Sequence, residues 1–187
     1  MKKGLFSFDT RTMVATGLGA ALFLVLFMFV KVPTGVPNTE IQTAYGLGAF
    51  MAALFGPIAG ALIQFIGHAL SDTINGAPWW SWIIASGVAG FIIGLAKNRL
   101  NVRQGEFNTK TLVRFLIYVV IAHVVAWCIV APGLDFLIYS EPASKVFAQS
   151  LTSVIANIIS SGVIGGLLLF AVAKSSSGKG QLKQEDE

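Results

Sequence analysis

A chain of 187 residues that is 55% hydrophobic and only 12% charged cannot clothe a water-facing surface, for which soluble domains use roughly a quarter charged residues. Its solvent is lipid, where backbone groups are satisfied only inside helices or closed barrels, and long uncharged runs without strict alternation exclude the barrel. The net charge of +4 then reads as basic loops holding one side of a membrane, not as a nucleic-acid surface, and the single cysteine, Cys128, excludes a disulfide framework.

In chain order, Lys2, Lys3 and Arg11 precede an apolar run over 12–30. It passes straight into Lys31 and Pro33 with no small-residue cleavage pattern, so a retained first span is expected, not a removable signal. Ala15/Gly19 and Gly17/Ala21 place small residues four apart on two adjacent strips of this helix. Such strips let another backbone approach closely, which makes Ala15, Gly17, Gly19 and Ala21 candidates for a partner interface. The following loop, Val32-Pro-Thr-Gly-Val-Pro-Asn-Thr-Glu40, carries two prolines and a glycine that favour a defined path. Two expectations stand for it: a plain connector, or a lid offering Asn38 and Glu40 to a site beneath.

Residues 41–71 form an uncharged stretch of 31 residues interrupted by Phe55-Gly56-Pro57, where proline disfavours helix at the preceding residue. Charge decides between one long span and a hairpin of two short ones. With a hairpin, all of the 13 Lys and Arg residues except Lys31 and Lys145 fall on the side of the N-terminus. With one span the bias inverts, against the rule that basic loops stay inside. The sequence therefore predicts an all-α integral membrane protein, a six-transmembrane-helix bundle with N- and C-termini cytoplasmic. The spans are expected near 12–30, 41–55, 57–72, 78–96, 113–132 and 146–173. They form a single membrane domain over 1–174, with a polar, disordered cytoplasmic tail over 175–187.

Polar residues within the apolar spans form stripes that converge on the outer half of the bundle. Gln64, His68 and Asp72 repeat every four residues, as do Gln149, a serine at 153 and Asn157, and His123 with Trp127. Trp79, Trp80 and Trp82 open the fourth span; at ~100° per residue they point in different directions, so at least one faces inward and not toward the lipid headgroups. Asn38, Glu40, Trp79, Trp80, His123, Trp127 and Asn157 are the candidate binding residues. Structural roles compete with these readings: Gln64 as interhelical glue, a His68–Asp72 cap, and His123 bonded to Asn157 or Ser153. Ser177-Gly-Lys-Gly180 is not a phosphate loop, because the glycine required at 173 is an alanine. No Cys/His metal spacing and no nucleophile elbow occur, so no enzyme, no metal and no cofactor are expected in this chain. No acidic group sits mid-span, as a proton-coupled carrier would require.

Taken together, Pro33-Thr-Gly-Val-Pro-Asn-Thr-Glu-Ile-Gln42, Phe55-Gly-Pro-Ile-Ala-Gly60, Gly67-His-Ala-Leu-Ser-Asp72 and Pro78-Trp-Trp-Ser-Trp82 resemble the substrate-binding S components of energy-coupling factor (ECF) transporters. Within these they are similar to the HmpT-like group assigned to hydroxymethylpyrimidine, the thiamine precursor. The likeness runs over roughly 10–174. It implies a six-helix bundle in the prokaryotic cell membrane with an outward-facing vitamin pocket walled by the last three helices and covered by the first loop. It also implies partners: an energy-coupling transmembrane subunit that docks on the first helix, and two ATPase subunits that bind ATP and Mg. Pyridoxine, with a hydroxymethyl-bearing ring of similar size, is the alternative ligand. A ligand-free membrane assembly protein is the alternative of another class.

Overall fold

The computed structural model describes the backbone of residues 4–185 and the side chains of residues 4–176. Lys2, Lys3 and the side chains of Lys179 and Lys183 lie outside the described residues. Helix α1, Thr10–Phe29, opens on Asp9, whose carboxylate accepts from the Thr12 backbone N–H at 2.9 Å and the Thr12 hydroxyl at 2.8 Å; an acceptor here satisfies the orphan donors of the first turn. Leu18, Leu22 and Val25 are exposed along one side, as a lipid-facing helix requires. The four small residues of α1 do not form one surface. A Cβ on Gly19 would lie 2.8 Å from Ile63 Cδ1, so Gly19 is packed inside the bundle, whereas Gly17 meets nothing within 4 Å. Ala15 is half-buried and Ala21 exposed.

Past α1 the expectation of a purely helical chain is amended. Strands β1, Lys31–Pro33, and β2, Glu40–Gln42, pair antiparallel, with Lys31 opposite Gln42, Val32 opposite Ile41 and Pro33 opposite Glu40. The turn between them uses left-handed backbone at Gly35 and Asn38, residue types that tolerate it.

Helices α2, Ala44–Phe55, and α3, Pro57–Ile74, are separated by Gly56 alone, at φ 101°. Proline at the first helical position restarts the chain without losing a needed donor. Ala52 lies against Gly60 and Gly48 against Gln64, contacts symmetric about Gly56, so the two helices fold back on each other as a hairpin. Gln64 is fully buried, yet neither atom of its amide has a hydrogen-bond partner among the described residues. It is therefore not the glue expected of it. Helix α4, Trp80–Gly94, packs on α3 with backbones in contact: a Cβ on Gly90 would sit 2.1 Å from the Gly60 carbonyl oxygen, and one on Gly94 2.4 Å from Pro57 Cα.

A connector follows, with a one-turn helix at Lys97–Leu100 and left-handed Asn101 and Gly105. Lys97 Nζ donates to the Phe55 carbonyl at 3.2 Å, and the Arg103 guanidinium lies 4.8 Å from the centre of the Phe55 ring, pinning the connector to the α2–α3 turn. Helix α5 runs over Thr109–Tyr139, past the end expected at 132. Pro132-Gly133 does not stop it because π-helical turns at Val125–Val130 and Asp135–Tyr139 flank the proline and relax the hydrogen-bond ladder around it. The loop expected over 133–145 shrinks to a few residues beginning at left-handed Ser140, and Asp135 becomes a buried helical residue. Helix α6, Ala143–Ser176, contains a π-helical turn at Ser161–Gly165, and its backbone stays helical to Glu185, where disorder was expected.

Among the described residues four helices are long and apolar enough to cross a membrane: Thr10–Phe29, Trp80–Gln104, Thr109–Tyr139 and Ala143–Ser176. The α2–α3 hairpin, with α2 only 12 residues long, is packed among them. Leu5 lies beside Gly56 and the end of α6 lies beside Val102–Gln104, so both ends of the described chain share the connector end of the bundle. The β-hairpin marks the opposite end.

Candidate functional site

At the β-hairpin end the helices enclose a cavity of about 340 Å³. Its most buried aromatic is Trp127, 1% exposed, held in the first π-helical turn of α5. The Trp127 indole N–H donates to His123 Nδ1 at 3.0 Å, which makes that nitrogen the acceptor and places the proton of a neutral imidazole on Nε2. Nε2 faces Ser161 Oγ at 2.8 Å, and Ser161 donates on to the Tyr45 carbonyl at 3.2 Å. His123 therefore lies behind Trp127, fully buried and outside the cavity lining. The direct ligand contact expected of it is replaced by a bond to Trp127. Its partner is Ser161, not Asn157 or Ser153.

The Tyr45 ring meets Trp127 edge-on at 5.6 Å, and its hydroxyl is 2.8 Å from Ser86 Oγ. His68 Nδ1 also reaches Ser86 Oγ, at 2.7 Å, while His68 Nε2 lies 3.5 Å from Asp72 Oδ1. Asp72 Oδ2 accepts from the Trp79 backbone N–H at 3.0 Å. These bonds join α2, α3 and α4 around one side of the cavity.

Another side is built by the tryptophans that open α4, and Asp135 orients them. Its carboxylate, 2% exposed, accepts from Trp79 Nε1 at 2.8 Å, Trp82 Nε1 at 2.9 Å and the Ser81 hydroxyl. Three donors satisfy a buried carboxylate that would otherwise be costly. Trp82 packs on Trp127 with centroids 5.2 Å apart, and Trp79 stacks on Tyr139 at 4.1 Å. Trp80 points away: it is 47% exposed and absent from the lining, and only its backbone N–H is engaged, by the Tyr139 hydroxyl. Trp79, Ser81 and Trp82 all turn toward Asp135, which leaves Trp80 directed outward.

The β-hairpin forms the rim. Lys31 pairs with Glu40 at 2.7 Å and Gln42 Nε2 donates to Glu40 Oε2 at 3.0 Å. Gln149 Nε2 on α6 donates to the Pro37 carbonyl at 2.9 Å, fastening the hairpin across the cavity. Below it Ser153 and Asn157 continue the α6 face into the lining. Asn157 Oδ1 and Gln42 Oε1 are buried without a partner among the described residues.

The cavity thus brings together Asn38, Glu40, Trp79, Trp127 and Asn157 from the sequence reading and leaves out Trp80 and His123. Asp135 was missed because it follows the Pro132-Gly133 break signal, and the π-helical turns on either side of that pair carry the helix through it. Tyr45 gave no signal, being one aromatic in an apolar stretch. Among the described residues no group of three His, Cys, Asp or Glu side chains is placed to hold a metal ion.

Residues 7–174 match the model of the family described as ECF-type riboflavin transporter, S component. A UPF0397 protein of Exiguobacterium sp. is 51% identical over 96% of this chain and 98% of its own length. UPF0397 proteins of Enterococcus faecalis and Staphylococcus aureus are 48% and 47% identical, each over 95% of this chain and 97% of their own. No solved structure matches. With a family match that spans the whole helical bundle and its cavity, the chain belongs to the S components of ECF-type transporters, substrate-binding subunits of vitamin-type uptake systems that work with an energy-coupling component and ATPases and are not themselves enzymes.

Proposed function

We propose that this S component captures hydroxymethylpyrimidine from outside the cell for ATP-driven uptake. The observation that carries the reading is the aromatic box of Tyr45, Trp82 and Trp127 with the unpartnered Asn157 amide beside it. A small heteroaromatic ring fits such a box: each aromatic contact contributes ~0.5–1.5 kcal/mol beyond area burial, and an amide complements the alternating donors and acceptors of a ring edge. The β-hairpin, tied to α6 through Gln149, serves as the lid. Pyridoxine shares the ring size and hydroxymethyl group. Riboflavin enters because the matching family description names it.

In the membrane the six helices are six spans, with the cavity end outside and both termini in the cytoplasm of a prokaryotic cell. ATP and Mg belong to the two ATPase subunits, and α1 docks on the energy-coupling subunit through its exposed strip at Gly17 and Ala21. Mass spectrometry of small molecules released from the purified chain, with tryptophan-fluorescence titrations of the three vitamins, tests the ligand. Release of none, and no binding of any, favours the ligand-free assembly role. For orientation, Cys128 is first replaced by serine; a cysteine at exposed Val32 is then expected to label only from outside and one at exposed Gln104 only from the cytoplasm. External labelling at Gln104 sinks the topology.

A further inference from the structure

The cavity's own donors are largely engaged within the protein. The indole N–H groups of Trp79 and Trp82 go to Asp135 and that of Trp127 to His123. The Gln149 amide N–H goes to Pro37. Gln42 is more telling still: its Nε2 donates to Glu40, and because a carboxylate only accepts, this bond fixes the orientation of the amide and leaves Oε1 as a buried acceptor with no partner among the described residues. Asn157 Oδ1 is likewise buried without a partner among the described residues, with no bond that fixes the orientation of its amide. Buried acceptors left unpaired are costly unless a ligand supplies the hydrogens.

Charge leans the same way. Two lysines line the cavity, and both are in ion pairs: Lys31 with Glu40 at 2.7 Å and Lys145 with Glu141 at 2.8 Å. Asp72 also lines it, and Asp135 lies directly behind Trp79 and Trp82. Carboxylates at and around the site therefore outnumber the cations. A phosphate ester entering here meets excess negative charge in a partly water-excluded space, where repulsion is weakly screened.

We infer that the cavity selects a hydrogen-bond-donating, unphosphorylated heteroaromatic: an amino group or ring N–H directed at Gln42 Oε1 and Asn157, on a neutral or cationic molecule that carries no phosphate. This rests on the reading of the cavity as a vitamin site and narrows it. Phosphorylation of the ligand, where metabolism uses it, then belongs to a kinase-type reaction after entry. Of the two small-ring candidates, the aminopyrimidine is favoured over pyridoxine, which lacks the amine.

The test uses the purified full chain and matched ligands, read by tryptophan fluorescence: 4-amino-5-hydroxymethyl-2-methylpyrimidine, its analogue without the 4-amino group, and its phosphate monoester. Pyridoxamine, pyridoxine and pyridoxine phosphate form a parallel series. Within whichever series binds, the amine is expected to bind about tenfold tighter or more than its counterpart, as for a buried acceptor gaining or losing its donor. The ester is expected to bind at least about a hundredfold more weakly than the alcohol, as for like charges brought together in a low-dielectric site. Gln42→Met is expected to shrink the amine preference, and Glu40→Gln with Asp72→Asn the ester discrimination. Equal affinity with and without the amino group, or an ester that binds as well as its alcohol, overturns the inference while leaving the vitamin-site reading intact. No binding in either series overturns the inference, and no binding of riboflavin as well overturns the vitamin-site reading with it.

Discussion

Helices α3 and α4 meet in opposite ways at their two ends. Toward the connector their backbones touch at Gly60, Gly90 and Gly94 with no room for a methyl group. Toward the β-hairpin the same pair contributes His68, Asp72, Trp79 and Trp82 to a cavity. Small residues close one end by allowing backbone approach; large side chains, held by hydrogen bonds, keep the other open at a fixed shape. The difference separates stability from recognition: a change at the closed end acts on the fold, whereas a change at the open end acts on what the fold holds.

The closed end gives the largest expected effect. Gly90→Ala puts a Cβ where the Gly60 carbonyl oxygen already sits, and neither backbone can yield without moving a whole helix. A destabilisation of about 3 kcal/mol is expected, seen as loss of monodisperse protein on size exclusion or a markedly lower Tm in scanning fluorimetry. A normal Tm would show that the two helices are less tightly apposed than the glycines indicate.

At the open end Asp135→Asn comes next. The amide has one accepting oxygen and would turn N–H donors toward groups that are themselves donors. Loss of charge-assisted bonds to Trp79, Trp82 and Ser81 is expected to cost about 2–3 kcal/mol of stability. Tryptophan emission should shift as two indoles are released, and ligand affinity should fall with it. A variant with wild-type emission and affinity would mean that Asp135 does not orient the tryptophans.

Asn157 and His123 then separate the two kinds of role within the same region. Asn157 Oδ1 has no partner among the described residues, so Asn157→Leu should leave Tm nearly unchanged yet weaken ligand binding by ~1–3 kcal/mol, or about ten- to a hundredfold. His123→Leu is expected to do the reverse in proportion: it strands the Trp127 N–H and removes the donor to Ser161 Oγ, costing about 1–3 kcal/mol of stability, with a smaller loss of affinity through a loosened Trp127. Isothermal titration and scanning fluorimetry on both variants check the crossing. If both lose affinity equally at unchanged Tm, His123 contacts the ligand after all.

The closed end was largely legible in the sequence and the open end only in part, for a physical reason. Helix hairpins and membrane helices follow from local signals: Gly56-Pro57 has one sensible conformation, and basic residues divide the chain without reference to packing. The α6 face of Gln149, Ser153 and Asn157 was readable because four-residue spacing survives in a regular helix. On α5 regularity fails. π-helical turns around Pro132 carry the helix through a break signal and bring Asp135 into the core, and no periodicity encodes that in advance. The choice among Trp79, Trp80 and Trp82 depends on Asp135 as well, and so was equally hidden. The β-hairpin was concealed because its strands are three residues each, too short to alternate visibly.

The smallest effect on the isolated chain, and the most informative about its partners, is expected on α1. The sequence grouped Ala15, Gly17, Gly19 and Ala21 as one docking surface, but packing divides them. Gly19 faces Ile63 of α3, and a bulky residue there injures the fold itself; Gly19→Leu would abolish partner binding for a trivial reason. Gly17 has open space where its Cβ would be, and Ala21 is exposed one turn further on. Gly17→Leu and Ala21→Leu should therefore leave Tm and ligand affinity as they are, with Gly17→Leu even gaining a few tenths of a kcal/mol or more from removing a mid-helix glycine. What both should lose is co-purification with the energy-coupling subunit, because a leucine on a strip that must lie flat against another helix holds the two backbones apart. Retained co-purification in both variants would move the docking surface off α1, to another of the exposed apolar faces of the bundle.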